Sequence, residues 1–166
     1  PVEQILPNTT VQVAPPKPAP KPAPKPAPKP KKPVVELLKS GMLKNKRSKS
    51  GICLGAVGDT VKFVNCFAAT DTWERYSDGQ FKHKLSGKCL TMNSGKNNDK
   101  VYLNKCSTYG KKQQWKLRDL VGPWFQFESI KYPGKCMDVP GNSANKGQSV
   151  ITYNCQMNND HDYMWV

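Results

Sequence analysis

The sequence predicts an all-β domain built from three like units, preceded by an extended, basic, proline-rich stalk. Three observations carry that expectation. One pattern of glycine, cysteine, apolar alternation and tryptophan occurs three times between residues 41 and 166. Six cysteines, all beyond residue 50, are shared two to a unit. From Pro15 to Pro33 proline stands at nearly every second position.

The N-terminal part divides into a tail, residues 1–14, and a stalk, residues 15–33, of repeated Ala-Pro-Lys-Pro. Alternate prolines fix φ near the polyproline II value and remove the N–H donors that helix or sheet needs, so the stalk is expected to be extended and coreless. At about 3.1 Å per residue it reaches on the order of 60 Å. Lys17, Lys21, Lys25 and Lys29 recur every four residues against three per turn, which winds the charge around the rod. Residues 1–50 hold 11 Lys and Arg against two acids, the larger share of the formal net charge of +14. Such a field draws a chain toward anionic polymers in general without choosing among them. Asn8-Thr9-Thr10 is a glycosylation acceptor sequence. The sequence opens on Pro1 and not on Met, and is expected to be a mature or trimmed form.

The remainder, residues 36–166, reads as three repeats, approximately 41–76, 79–118 and 124–166. The first runs through Gly51-Ile52-Cys53-Leu54, then Val61-Lys62-Phe63-Val64-Asn65-Cys66, then Trp73. The second has Gly87-Lys88-Cys89-Leu90, Val101-Tyr102-Leu103-Asn104-Lys105-Cys106 and Gln113-Gln114-Trp115. The third has Gly134-Lys135-Cys136-Met137-Asp138, Val150-Ile151-Thr152-Tyr153-Asn154-Cys155 and Tyr163-Met164-Trp165. Short alternating apolar runs between Gly, Ser, Asn and Pro clusters are strand-and-hairpin chemistry, and no stretch sustains a 3.6-residue period. Six cysteines allow fifteen pairings; repetition selects the one in which each unit closes on itself, Cys53 with Cys66, Cys89 with Cys106 and Cys136 with Cys155. A unit of about 40 residues cannot bury its own apolar side, so the three are expected to share a core. Trp73, Trp115 and Trp165 take equivalent places in that scheme, and Trp124 opens the third unit's first strand.

Composition excludes several classes. No apolar run approaches the ~20 residues of a membrane helix. Past the stalk the charge is mixed in sign, without the dense basic face of a nucleic-acid binder. His83 and His161 are the only histidines and neither sits at zinc-ligand spacing, so no metal and no cofactor is expected. Nucleophile-elbow, metalloprotease and phosphate-loop motifs are absent, and His161, between Asp160 and Asp162, reads as an exposed turn residue. The chain is expected not to be an enzyme.

Taken together, Gly-x-Cys-Leu, the apolar alternation into a second cysteine, and Gln-x-Trp resemble the ricin B-type lectin family, whose fold is the β-trefoil. In that family a carboxylate two residues after the first cysteine and an aromatic ring two residues before the second hold a sugar, helped by a polar pair beside the tryptophan. The resemblance implies carbohydrate binding in the third repeat by Asp138, Ile151, Tyr153 and Asp162, with Asp162-Tyr163 standing where the family has Asn-Gln. A second, poorer candidate comprises Tyr102, Asn104 and Gln113, with Thr91 in place of the carboxylate. The first repeat, with Gly55 and Val64 at those places, is expected to be structural.

The expected function is a non-catalytic lectin module of a secreted or surface protein, periplasmic if bacterial, serving as a targeting or adhesion subunit. Its expected partner is a glycan, of galactose type by family resemblance. A partner protein or multimeric assembly, and an anionic polymer held by the stalk, complete the expected partners; specific nucleic acid does not figure among them. The alternative is an assembly protein that uses a sugar-incompetent trefoil for protein contacts with the stalk as tether.

Overall fold

A computed structural model of the chain describes residues 34–108 and 110–166; the tail, the stalk and Asn8 lie outside the described residues. Thirteen strands and three single-turn 3₁₀ helices follow in order. An added strand, β1 (Leu37–Gly41), precedes three sets of four. The first set is β2 (Leu43–Asn45), β3 (Ile52–Val57), β4 (Thr60–Asn65) and β5 (Trp73–Tyr76). The second is β6 (Phe81–His83), β7 (Cys89–Thr91), β8 (Tyr102–Asn104) and β9 (Trp115–Asp119). The third is β10 (Phe125–Ser129), β11 (Lys135–Asp138), β12 (Ile151–Asn154) and β13 (Tyr163–Trp165).

Pairing repeats with threefold regularity. The middle strands of each set form an antiparallel hairpin: β3 with β4, β7 with β8, β11 with β12. The last strand of each set pairs with the first of the next, β5 with β6 and β9 with β10, and β13 closes the circle onto β2. This is a β-trefoil. Closure through β13 and β2 gives both strands a partner, so neither is left as a free sheet edge there.

The pseudo-threefold axis is visible in three backbone hydrogen bonds. Val61 N–H donates to Val101 C=O at 3.1 Å, Val101 N–H to Val150 C=O at 3.0 Å, and Val150 N–H to Val61 C=O at 3.1 Å. Each valine stands five residues before its repeat's second cysteine, and all three are fully buried. Beneath this ring the three repeats pool their apolar faces, as units too small to bury their own must. Leu43, Phe81 and Phe127 enter the shared core from the first strand of each set. Phe127 makes edge contacts with Phe81, Trp115 and Tyr163 at centroid distances of 4.8, 6.0 and 5.3 Å.

Each repeat is closed by its own disulfide: Cys53–Cys66, Cys89–Cys106 and Cys136–Cys155. The glycine two residues ahead of each first cysteine has a positive φ, 73°, 65° and 78° at Gly51, Gly87 and Gly134. A side chain is strained in that left-handed turn, which is why glycine recurs there.

Strand register corrects one expectation. Across the inter-repeat pairs Trp73 faces His83, Trp115 faces Ser129, and Tyr163 faces Asn45. The third member of the tryptophan set is therefore Tyr163, fully buried, while Trp165 lies two residues on, half-buried against the Gly41 backbone. Spacing agrees with this register. The aromatic follows the second cysteine by seven, nine and eight residues when Tyr163 is counted.

Candidate functional site

The corrected register moves the polar pair of the third repeat from Asp162-Tyr163 to Asp160-His161. It makes Asp71, Gln113 and His161 equivalent, each two residues before its buried aromatic. Each of these side chains turns toward the residue two places after its repeat's first cysteine, and what the two do together differs from repeat to repeat.

In the third repeat the β11–β12 hairpin presents Asp138 opposite Ile151, with Tyr153 opposite Cys136. Asp138, Ile151 and Tyr153 share a pocket of about 330 Å³. Asn98 from the second repeat, and Asn158 and Asp160 from the loop before β13, complete its polar wall. Ile151 is buried and supplies an apolar side, whereas Tyr153 is half-buried. Asp160 is held from outside the pocket: Arg47 Nε donates to its Oδ1 at 2.6 Å, and Asn45 Nδ2 donates to its backbone carbonyl at 2.9 Å.

His161 is buried, not the exposed turn residue expected. Its Nδ1 donates to the Met137 carbonyl at 3.0 Å and lies 3.6 Å from Asp138 Oδ1. In the other repeats the matching carbonyl receives the indole N–H: Trp73 Nε1 to Leu54 at 2.8 Å and Trp115 Nε1 to Leu90 at 3.0 Å. Tyr163 has no ring N–H to give. His161 takes over that donor's task while also supporting the carboxylate.

Burial pushes the Asp138 carboxyl above the usual aspartate range. His161 and the Val139 N–H oppose that shift, and the neighbouring Asp160 charge adds to it. Asp138 Oδ1 is buried without a hydrogen-bond partner among the described residues. An acceptor buried without a partner is costly to the fold.

Asp162 lies elsewhere: it ends the 3₁₀ turn Asn159–His161, directly before Tyr163, and does not stand three residues ahead of the buried aromatic. It accepts from Gln126 Nε2 at 3.1 Å and pairs with Lys46 Nζ at 3.4 Å. With Trp124 and Met157 it lines a separate groove. The sequence reading missed Asp160, Asn98 and Asn158. Asp160 was recoverable from the cysteine-to-aromatic spacing; Asn98 comes from a neighbouring repeat and carries no local signal.

The second repeat keeps an open pocket containing Thr91, Asn104 and Gln113. Tyr102 is not among its lining residues; it stands opposite Thr91 of β7 and Thr60 of β4. In the first repeat the site is filled. A Cβ on Gly55 would lie 2.4 Å from Val64 Cγ2 and 2.6 Å from Asp71 Oδ1, so the position tolerates only glycine. Asp71 is spent accepting from the Phe67 N–H at 2.9 Å.

Fold and pocket together define a β-trefoil module whose third repeat carries a pocket lined by two carboxylates and an aromatic ring. Comparison with known proteins agrees with that class. The family described as "Ricin-type beta-trefoil lectin domain" matches residues 34–118, and the chain belongs to that family, a family of carbohydrate-binding modules. A search of curated protein sequences found no match. Among solved structures, the designed threefold-symmetric protein ThreeFoil superposes with a TM-score of 0.67 at 24% identity, over 76% of this chain and 97% of that one. The hemolytic lectin CEL-III gives 0.65 at 25% identity over 78% of this chain, and the agglutinin from Abrus precatorius 0.63 at 16% over 78%. This chain spans only 30% of the CEL-III chain and 47% of the agglutinin chain.

Proposed function

We propose that the module is a non-catalytic lectin head that binds a neutral glycan through the third-repeat pocket. The observation that carries this reading is the convergence of Asp138, Asp160 and the Tyr153 ring on one pocket. Carboxylates accept hydrogen bonds from adjacent sugar hydroxyls, and a ring face receives the C–H face of a pyranose. At the equivalent places the first repeat has Gly55 and Val64 and the second has Thr91 and Asn104, so neither offers the carboxylate and ring pair there.

A galactose-type ligand is the family's precedent, and lectins such as CEL-III and the Abrus agglutinin share the fold. Three disulfides favour an oxidising compartment, so the head belongs to a secreted or surface protein. A single shallow site of this kind binds weakly, with Kd about millimolar or roughly 4 kcal/mol. Targeting or adhesion then needs several copies on an assembly, with the stalk as spacer.

A glycan array probed with the full chain tests this reading. Asp138→Asn and Tyr153→Ala should each abolish retention on neutral glycans while leaving the thermal midpoint nearly unchanged. Retention that survives both substitutions places the site elsewhere. No retention by the unmodified chain on any glycan, combined with sugar-indifferent copurification of a fixed protein, supports the assembly reading.

A further inference from the structure

The second-repeat pocket differs from the third in the sign of its charge. By threefold equivalence Thr91 replaces Asp138, Lys112 replaces Asp160 and Asn104 replaces Tyr153. The stacking ring and both carboxylates are gone, yet the pocket stays open, at about 450 Å³. No acidic residue lines it, whereas Lys111, Lys112 and Lys131 do. All three lysines are exposed, and none forms an ion pair among the described residues. The third-repeat pocket shows the reverse, two aspartates and no lysine among its lining residues.

The pocket floor is already organised. Gln113 Nε2 donates to Thr91 Oγ1 at 3.2 Å and to the Lys105 carbonyl at 2.9 Å, while its Oε1 accepts from the Ser107 N–H at 2.8 Å. The turn that carries Lys111 and Lys112 is tied down where the Lys112 carbonyl accepts from the Met92 N–H at 2.9 Å. Asn104 Nδ2 donates to Asn93 Oδ1 at 3.1 Å, which leaves the Asn93 amide hydrogens and the Asn104 carbonyl without another partner among the described residues. A fixed donor and acceptor pair beneath three unpaired ammonium groups suits a ligand carrying hydroxyls on one side and negative charge on the other. Lys131 follows β10, so the rim joins two repeats.

We propose that this pocket is an independent site for an anionic sugar, its sulfate, phosphate or carboxylate held by Lys111, Lys112 and Lys131 and its hydroxyls met by Asn93 and Asn104. The module then reads two glycan chemistries, neutral at the third repeat and acidic at the second. This inference stands apart from the third-repeat reading, since neither site shares a lining residue with the other.

Residue-resolved ¹⁵N–¹H shift mapping on the full chain tests it, because a local readout separates this pocket from adsorption to the stalk. The probes are galactose 6-sulfate, glucuronic acid, galactose and sodium sulfate. Galactose 6-sulfate or glucuronic acid should move the amides of Thr91, Asn104 and Gln113, galactose should leave them in place, and sodium sulfate should move them far less. The Lys112→Ala/Lys131→Ala double variant changes exposed side chains only and should weaken the response about tenfold, the loss of a charge-assisted contact, while neutral-glycan retention at the third repeat is unchanged. Sodium sulfate moving the same amides as strongly as the acidic sugars would show charge collection without sugar recognition and overturn the proposal. So would the absence of any shift with both acidic sugars, or a response indifferent to the lysines.

Discussion

Asp138 and His161 set the chemistry of the third repeat as a pair. Asp138 is buried enough for its carboxyl to titrate above the ordinary value of 3.8, and His161 beside it is fixed by the Met137 carbonyl. Between 3.8 and the raised native value, the folded chain keeps a proton that the unfolded chain has released. Linkage then makes this group's contribution to stability fall as pH rises through that window and recover as pH is lowered. Sugar binding runs the other way, since accepting two hydroxyl hydrogens needs the ionised form. Neutral-glycan retention should therefore fail on acidification from a higher pH than an ordinary aspartate would set. In parallel, the thermal midpoint of the unmodified chain, nearly equal to that of Asp138→Asn at neutral pH, should rise relative to it as pH is lowered through the window. A difference that is flat across the acid range would show that Asp138 is not perturbed.

In the proposed function the hairpins are the elements that carry binding, and each is closed by one disulfide. The bond Cys136–Cys155, spanning 19 residues, closes the β11–β12 hairpin that holds Asp138, Ile151 and Tyr153. Replacing both cysteines with alanine should cost about 3 kcal/mol in a denaturant melt and also loosen the pocket, lowering glycan retention. The same change at Cys53–Cys66 should cost a similar amount and leave retention intact well below the melting temperature, because the first-repeat pocket is already filled. Equal loss of retention in both variants would mean that the repeats do not act as separate carriers. Element existence was legible in the sequence because Gly51, Gly87 and Gly134, the alternation into each second cysteine, and the cysteine pairs recur in register. Register in the third repeat was not. Trp165 attracted the alignment by its identity, while the position that matters is fixed by pairing with β2 and holds Tyr163. That two-residue slip placed Asp162 in the expected sugar site and left out Asp160. Contacts such as Asn98 and Arg47, brought from other repeats, follow only from closure of the fold.

At the scale of the whole molecule, threefold closure makes one architecture with three different pockets: filled at Gly55, basic at Lys112, acidic at Asp138. The ring of Val61, Val101 and Val150 holds the frame while the hairpin tips vary, which is how a repeat fold diversifies binding without altering its core. The stalk segment, residues 15–33, adds six lysines to the charge of the chain. Deleting residues 15–33 should leave the head's thermal midpoint and neutral-glycan retention unchanged and should reduce salt-sensitive adsorption to an anionic polymer such as heparin. Unchanged adsorption would assign that property to the head's own lysines. The central claim is that a neutral sugar sits between the Asp138 carboxylate and the Tyr153 ring, and a crystal structure of the chain with the best-retained neutral glycan tests it most directly. A pyranose with two hydroxyls on Asp138 and its C–H face on Tyr153 is the expected result; a glycan bound in the Trp124 groove, or anywhere clear of Asp138, would contradict it.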